Sequence, residues 1–248
     1  VRGLRGTWIP EHTDLSLTPD TGDSPQELII PNATNIPNWR PRIAITSIEV
    51  SDEEWAGAAD GAPRLTLARY RKLNAILDAV AASRPRPDYV ILPRRWAMQM
   101  VGKMLPRGVS VIAGLEYRAD TTTANALHNE ALVALRTNFL GYPAGLFLLQ
   151  PKRQPAWHER QLLADNFGKT LAPPPADSLN HPVYHHQSFC FGVLICSELT
   201  DIADRQRFQG QVDALFIPEW NQDIESFAAL VESAALDVHA YIVQANNR

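Results

Sequence analysis

The stretch Gly192-Val193-Leu194-Ile195-Cys196-Ser197-Glu198 closes an apolar run that begins at Phe189 and turns polar directly after the cysteine. A run of this length, apolar at every position rather than at alternate ones, reads as a strand buried on both faces and ending at Cys196. A side chain at the last position of such a strand stands at the rim of a sheet, where a small molecule can reach it. Backbone N–H groups just beyond the strand end can meet an oxyanion. On these residues alone Cys196 has a second reading, a small core residue, because free cysteine is among the most buried residue types.

Outward from this run, strands and helices alternate. Upstream, Arg42–Val50 reads as a strand, and Leu65–Ala82 as an amphipathic helix with Leu65, Leu73, Ile76, Leu77 and Val80 on one stripe, stopped by Arg84-Pro85-Arg86-Pro87. Tyr89–Leu92 is a short apolar strand, Trp96–Leu105 a helical stretch and Val109–Gly114 a third strand. His128–Leu135 and Ala144–Gln150 form a hairpin pattern around Gly141 and Pro143, and a polar, proline-rich excursion then runs to about His186. Downstream of Cys196, a short helix within Glu198–Gln211 leads to a strand at Val212–Pro218. A helix at Ser226–His239, with Phe227, Leu230, Val231 and Leu236 inward, leads to a last strand at Ala240–Ala245. Hairpins and β-α-β units in one chain predict an α/β fold of two packed mixed sheets flanked by helices.

Composition narrows the class. The 248 residues, 45% hydrophobic and 20% charged, suit one large domain, and a net charge of −4 offers no general attraction to nucleic acid. No run of roughly 18 apolar residues occurs and no signal peptide is evident, so a cytoplasmic domain without a membrane span is expected. Cys190 and Cys196 lie six positions apart in one apolar run and are expected to be reduced. Residues 1–41 carry six prolines without periodicity and read as a linker or wrapping arm, which Trp8, Ile29, Ile30 and Trp39 could pin to a globular body at 42–248. The start at Val1 and the end just after a strand suggest a piece of something longer, truncated at its C-terminus.

From Arg42 to Arg248 the chain resembles the nitrilase (carbon–nitrogen hydrolase) superfamily. Tyr89–Pro93 is similar to the strand leading to that family's first glutamate, and His128-Asn129-Glu130 to its Asn-bearing strand. Lys152 lies where the family's lysine follows its hairpin, and Gly192–Glu198 resembles the Gly-x-x-Ile-Cys-x-Asp signature. Val212–Trp220 and Glu232–Asn246 resemble its later strand and helix–strand segments, with Asp237-Val238 departing from the usual pair. The resemblance implies a four-layer α-β-β-α sandwich with Cys196 as nucleophile. Lys152 would stabilise the oxyanion, Glu159 would stand beside that lysine, and Ser197, Trp220 and Asn221 would line the substrate site. The implied reaction cleaves the carbon–nitrogen bond of a small-molecule amide or nitrile through a thioester, without a cofactor. It also implies a homo-oligomer, for which Trp220 and Phe227 are expected to offer apolar surface. On residue type alone, Lys152 could equally be a solvated lysine and His158-Glu159-Arg160 an exposed helix start.

A second function class stands beside this one: an assembly or sensing module that keeps the fold inside a larger protein. Nitrilase-like domains fused to reverse transcriptases of bacterial antiviral defence are the example that the end of this chain resembles. One departure favours it. Where the family's general-base glutamate follows the proline, Pro93 runs into Arg94, and a guanidinium cannot accept the thiol proton. The helical stretch also reads as starting almost at Arg94, which makes the link from Leu92 shorter than the usual ~2–6 residues. Either a glutamate-bearing segment is missing between Leu92 and Arg94, or Arg94 is a true substitution. No metal is expected, since Leu162 stands where a second histidine would follow His158. His181, His185 and His186 are expected to line a loop or meet a neighbouring subunit. No Gly-rich nucleotide-binding motif occurs.

Overall fold

Successive residues of the central strands serve two different interiors. In β3 (Tyr89–Trp96), Tyr89 and Ile91 face one core while Val90 and Leu92 face another, and all four are fully buried. The same alternation runs through β4 (Ser110–Leu115) and β7 (Glu130–Phe139), where Ile112, Ala131 and Val133 join Tyr89, and Val111, Leu132 and Ala134 join Val90. A strand with an interior on each side reads as continuously apolar, as these do. The computed structural model describes residues 26–30, 39–48, 67–96, 104–105, 108–115, 117–175, 178–221 and 223–247.

Two five-stranded mixed sheets carry the architecture. One runs β2 (Ile43–Ile45), β3, β4, β7 and β8 (Tyr142–Pro151). The other runs β1 (Glu27–Ile29), β10 (Val183–His186), β11 (Phe189–Val193), β12 (Ala214–Trp220) and β13 (Tyr241–Asn247). A third, small sheet joins β5 (Arg118–Ala119), β6 (Ala126–His128) and β9 (Thr170–Leu171). Between the large sheets lies a core built on Tyr89, Phe191 and Phe216, with Tyr184 and Phe191 stacked at 5.0 Å. Helix α1 (Leu67–Ala82) covers the first sheet with Leu73 and Leu77. Helix α4 (Ile224–Val238) lies on the outer face of the second, against Leu215 and Ile217, with the short α3 (Ile202–Gln206) packed beside it. Helix α2 (Trp157–Phe167) follows β8. The order is α-β-β-α, as expected. Gly192 faces the outer interior, where a Cβ would stand 2.4 Å from the Phe208 ring, so glycine is what lets that ring pack on the sheet.

Several boundaries differ from the sequence reading. Strand β3 continues through Pro93 to Trp96, which pairs with Leu115 after an irregularity in the ladder, so no helix begins at Trp96. Proline is tolerated at such an irregularity. Without a strand-to-helix junction at Leu92, the missing-segment explanation loses its geometric ground. The side chain of Arg94 lies outside the described residues. The first strand is only Ile43–Ile45, with Ile48 bridging to Asn247. Leu236 on α4 is 75% exposed rather than inward.

Part of the proline-rich N-terminal stretch is sheet. β1 pairs in parallel with β10, Leu28 and Ile30 are buried, and the Trp39 ring sits 6.0 Å from Tyr89, while Ile29 is exposed and Trp8 lies outside the described residues. The β7–β8 ribbon pairs ten residues on each strand across a two-residue turn, Leu140-Gly141, both with positive φ (50° and 84°). That is the geometry whose twist matches an antiparallel ribbon. No helix among the described residues is long and apolar enough to cross a membrane.

Candidate active site

Cys196 does not end a strand, as its sequence suggested. β11 stops at Val193; Leu194 still donates to the Phe216 carbonyl at 3.1 Å, and Cys196 opens a 3-10 turn over Cys196–Thr200. Its φ is +53°. A non-glycine residue in the left-handed region costs about 1–2 kcal/mol, and such strain persists only where surrounding contacts impose it. Here they are visible: Leu194 and Ile195 are fully buried on the entering side, and on the leaving side the buried Glu198 carboxylate folds back to accept the Ile195 N–H at 2.7 Å. The half-buried thiol is 3.8 Å from the Trp220 carbonyl, a weak hydrogen bond.

Lys152 follows β8 and is not a surface lysine. Its backbone N–H donates to the Asn129 carbonyl at 2.8 Å, and its side chain is 1% exposed. The ammonium donates to Glu159 Oε2 at 2.6 Å. Glu159 sits in the first turn of α2, where the helix dipole favours a carboxylate, and its side chain is 7% exposed rather than solvated. Its second oxygen accepts from the Asn129 amide at 2.5 Å and the Tyr117 hydroxyl at 2.6 Å. Three donors therefore fix the carboxylate, and the carboxylate aims the ammonium.

These groups meet in one cavity of about 420 Å³. Cys196, Lys152, Glu159, Ser197, Trp220 and Asn221, singled out from the sequence, all line it, with Tyr117, His158 and Asp223 beside them. Apolar walls come from Leu162, Trp220 and Phe227; Phe227 is 8% exposed and is thus a wall rather than a docking surface. Asn221 is held at both backbone groups by the Asn246 side chain, at 2.9 Å each, which ties the cavity wall to the end of β13. Ser197 donates to the Gln154 carbonyl at 3.3 Å.

The three clustered histidines part company. His181 is buried with Glu198 and Asp204, each 3.2 Å away. His186 is buried between the Tyr89 hydroxyl and the Arg136 carbonyl, and burial depresses it to about 4, so it is neutral. His185 is 3.2 Å from the Cys190 thiol, which is pushed up first by burial and then by Asp213 and Glu27. His185 and His186 lie on β10 rather than in a loop, whereas His181 is in the bend before it, and no group of three or more His, Cys, Asp or Glu that could hold a metal ion occurs among the described residues. The roles of Tyr117, Asn129 and His181 had no local signal, because their partners lie 17 to 42 positions away in the chain.

Glu219, next to Trp220, is fully buried, with no cation paired to it among the described residues. One oxygen accepts from Gln244, the other has no partner among the described residues, and burial pushes the carboxyl up to about 8. Between the ordinary value of 4.5 and about 8 the folded chain keeps a proton that the unfolded chain releases. Stability from this group is therefore full below about pH 4.5 and is lost as pH rises through 8. Glu219→Gln is expected to match the parent in urea unfolding at pH 4.5 and to exceed it at pH 8 by a few kcal/mol, at about 1.4 kcal/mol per pKa unit. An equal difference at both pH values would show that Glu219 is not protonated in the fold.

No protein-family model matches the sequence, and a search of curated proteins finds no match. Solved structures do match. Nit3 of Saccharomyces cerevisiae, a member of branch 10 of the nitrilase superfamily, aligns over 84% of this chain and 75% of its own with a TM-score of 0.60 at 14% identity. A mutant of the Nesterenkonia AN1 amidase from the nitrilase superfamily aligns over 87% and 77% with a TM-score of 0.50 at 12% identity. The glutamine-dependent NAD+ synthetase of Acinetobacter baumannii, solved with adenosine diphosphate, aligns over 84% of this chain but 38% of its own, with a TM-score of 0.52 at 14% identity. The likeness is one of architecture, and the fold of this chain is that of the nitrilase superfamily.

Proposed function

We propose that this chain is a thiol-dependent hydrolase of a non-peptide carbon–nitrogen bond in a small amide or nitrile. The observation that carries the reading is the convergence of a strained cysteine and a buried, oriented lysine on one largely apolar cavity. With an amide, the Cys196 thiolate attacks the carbonyl carbon and the Lys152 ammonium stabilises the oxyanion. Collapse breaks the C–N bond, a proton passes to the leaving nitrogen, and a thioester remains. Water then cleaves the thioester, giving the acid and restoring the thiol. The cavity volume suits a substrate of modest size with an apolar body.

Glu159 is already committed to three donors, and Arg94 holds the sequence position of the family's base. Among the described residues, His158 and Asp223, both at the cavity wall, are the remaining candidates to take the thiol proton. The same departure at Arg94 supports the second reading, a pocket-bearing module of a larger protein such as a defence-associated reverse transcriptase. Thiol labelling separates the two. At neutral pH, limiting iodoacetamide is expected to modify Cys196 well ahead of Cys190, whose thiol is held protonated, and a panel of small amides is expected to yield turnover. Equal, slow labelling of both thiols would favour the module.

A further inference from the structure

Lys152 and Cys196 reach the cavity from separate sheets, and a single side chain ties their backbones together. Glu198 is fully buried; its Oε2 accepts the N–H of Ile195, the residue before Cys196, at 2.7 Å, and its Oε1 accepts the N–H of Arg153, the residue after Lys152, at 2.6 Å. We propose that His181 is a positioning residue for this pair: through Glu198, its proton keeps the turn that carries Cys196 and the segment that carries Lys152 in fixed relation. The inference rests on the reading of these two residues as the reacting groups.

His181 has no other evident use. It is 1% exposed, adopts a left-handed φ of 46°, and stands between Glu198 Oε1 and Asp204 Oδ1 at 3.2 Å each. Among the described residues the charged groups facing it are those two carboxylates, with Asp201 farther off, and the Phe208 ring lies 6.4 Å away. The Arg153 guanidinium donates to the Ser178 and Leu179 carbonyls. Two carboxylates around one buried imidazole demand a proton on it. Burial alone would depress His181, but the charge of Glu198 and then the contacts with Asp204 raise it to about 9. Burial likewise opposes ionisation of Glu198, yet His181 and the two N–H groups hold its carboxyl below the usual range. When His181 loses its proton, the buried Glu198 loses the positive charge paired with it, and its hold on the two N–H groups weakens.

The test uses the intact chain with His181→Gln and Asp204→Asn, and iodoacetamide as the probe. The rate of Cys196 alkylation is followed by peptide mass spectrometry from pH 6.5 to 10, with Cys190 in the same molecules as the internal control. At pH 7 the His181→Gln rate is expected to fall roughly tenfold, in keeping with the cost of small displacements at reacting groups. The ratio of parent to variant should shrink toward one above about pH 9, where the parent loses the same proton. Asp204→Asn removes one of the two carboxylates, so its own fall should come at lower pH; this variant carries the test if His181→Gln does not fold. A ratio near one at pH 7, or one that stays constant across the range, overturns the proposal and leaves His181 a packing residue. So does an Asp204→Asn profile that superimposes on the parent. Because alkylation needs no turnover, a chain inactive on every amide but with a pH-dependent ratio retracts the hydrolase and keeps the positioning role. An amidase with a flat ratio does the reverse.

Discussion

Cys196→Ala is expected to lower amide or nitrile turnover by at least about three orders of magnitude while leaving the unfolding free energy within about 1 kcal/mol. The first part follows from loss of the only group in the proposed site able to form the thioester. The second follows from what the thiol contributes to the fold: one sulfur atom, half-buried, with a single weak hydrogen bond to the Trp220 carbonyl. The left-handed backbone adds a sharper comparison. Cys196→Gly relieves the strain of φ +53°, so it should be at least as stable as the alanine variant and equally inactive. Turnover assays with thermal unfolding check both parts. A fall of several degrees in Tm for the alanine variant, or residual turnover in it, would return Cys196 to the core-residue reading.

Lys152→Met should have the larger effect on the fold. It removes the ammonium that pairs with the Glu159 carboxylate, 7% exposed, and leaves the neutral donors Tyr117 and Asn129 in place. Breaking a buried ion pair from one side costs about 3–5 kcal/mol, a large share of the 5–15 kcal/mol that holds a typical domain together. Adding Glu159→Gln removes the other half of the ion pair, so the double variant should recover most of that loss without recovering turnover. Equilibrium denaturation of the four species forms a double-mutant cycle. If the single variant is as stable as the parent, the ion pair contributes little to the fold and the aim of the ammonium must have another cause.

The layers were legible in the sequence because strand and helix periods are local. The stripe through Leu73 and Leu77 identified α1, and the unbroken apolar runs at Tyr89–Leu92 and Phe189–Val193 identified strands with two buried faces. Pro93 misled because proline ordinarily ends a central strand, whereas here an irregular ladder between Leu92 and Trp96 accommodates it. Helix α2 was hidden because only Leu163 is buried along it, which leaves no stripe to read. The cavity was legible as a set of residues through a family resemblance, but its wiring was not. Nothing near His181 announces that it pairs with Glu198 and Asp204, and nothing near Asn129 announces Glu159. A fully buried Glu219 whose carboxyl is pushed up by burial runs against the sequence expectation for a carboxylate.

The β7–β8 ribbon also acts as a ruler for the lysine at its far end. Ten pairs lie between the Leu140-Gly141 turn and Lys152, a span of about 33 Å at roughly 3.3 Å per residue. Both strands have buried faces, and a slip of one residue would turn each side chain to the opposite face, carrying Lys152 out of the cavity. A two-residue turn is already the shortest common connection, so the tip can lengthen without disturbing the ruler but cannot shorten. With Leu140 and Tyr142 80% and 76% exposed, the tip is a natural seat for an inserted tag or reporter domain, and single deletions there would be read some 30 Å away as loss of the lysine.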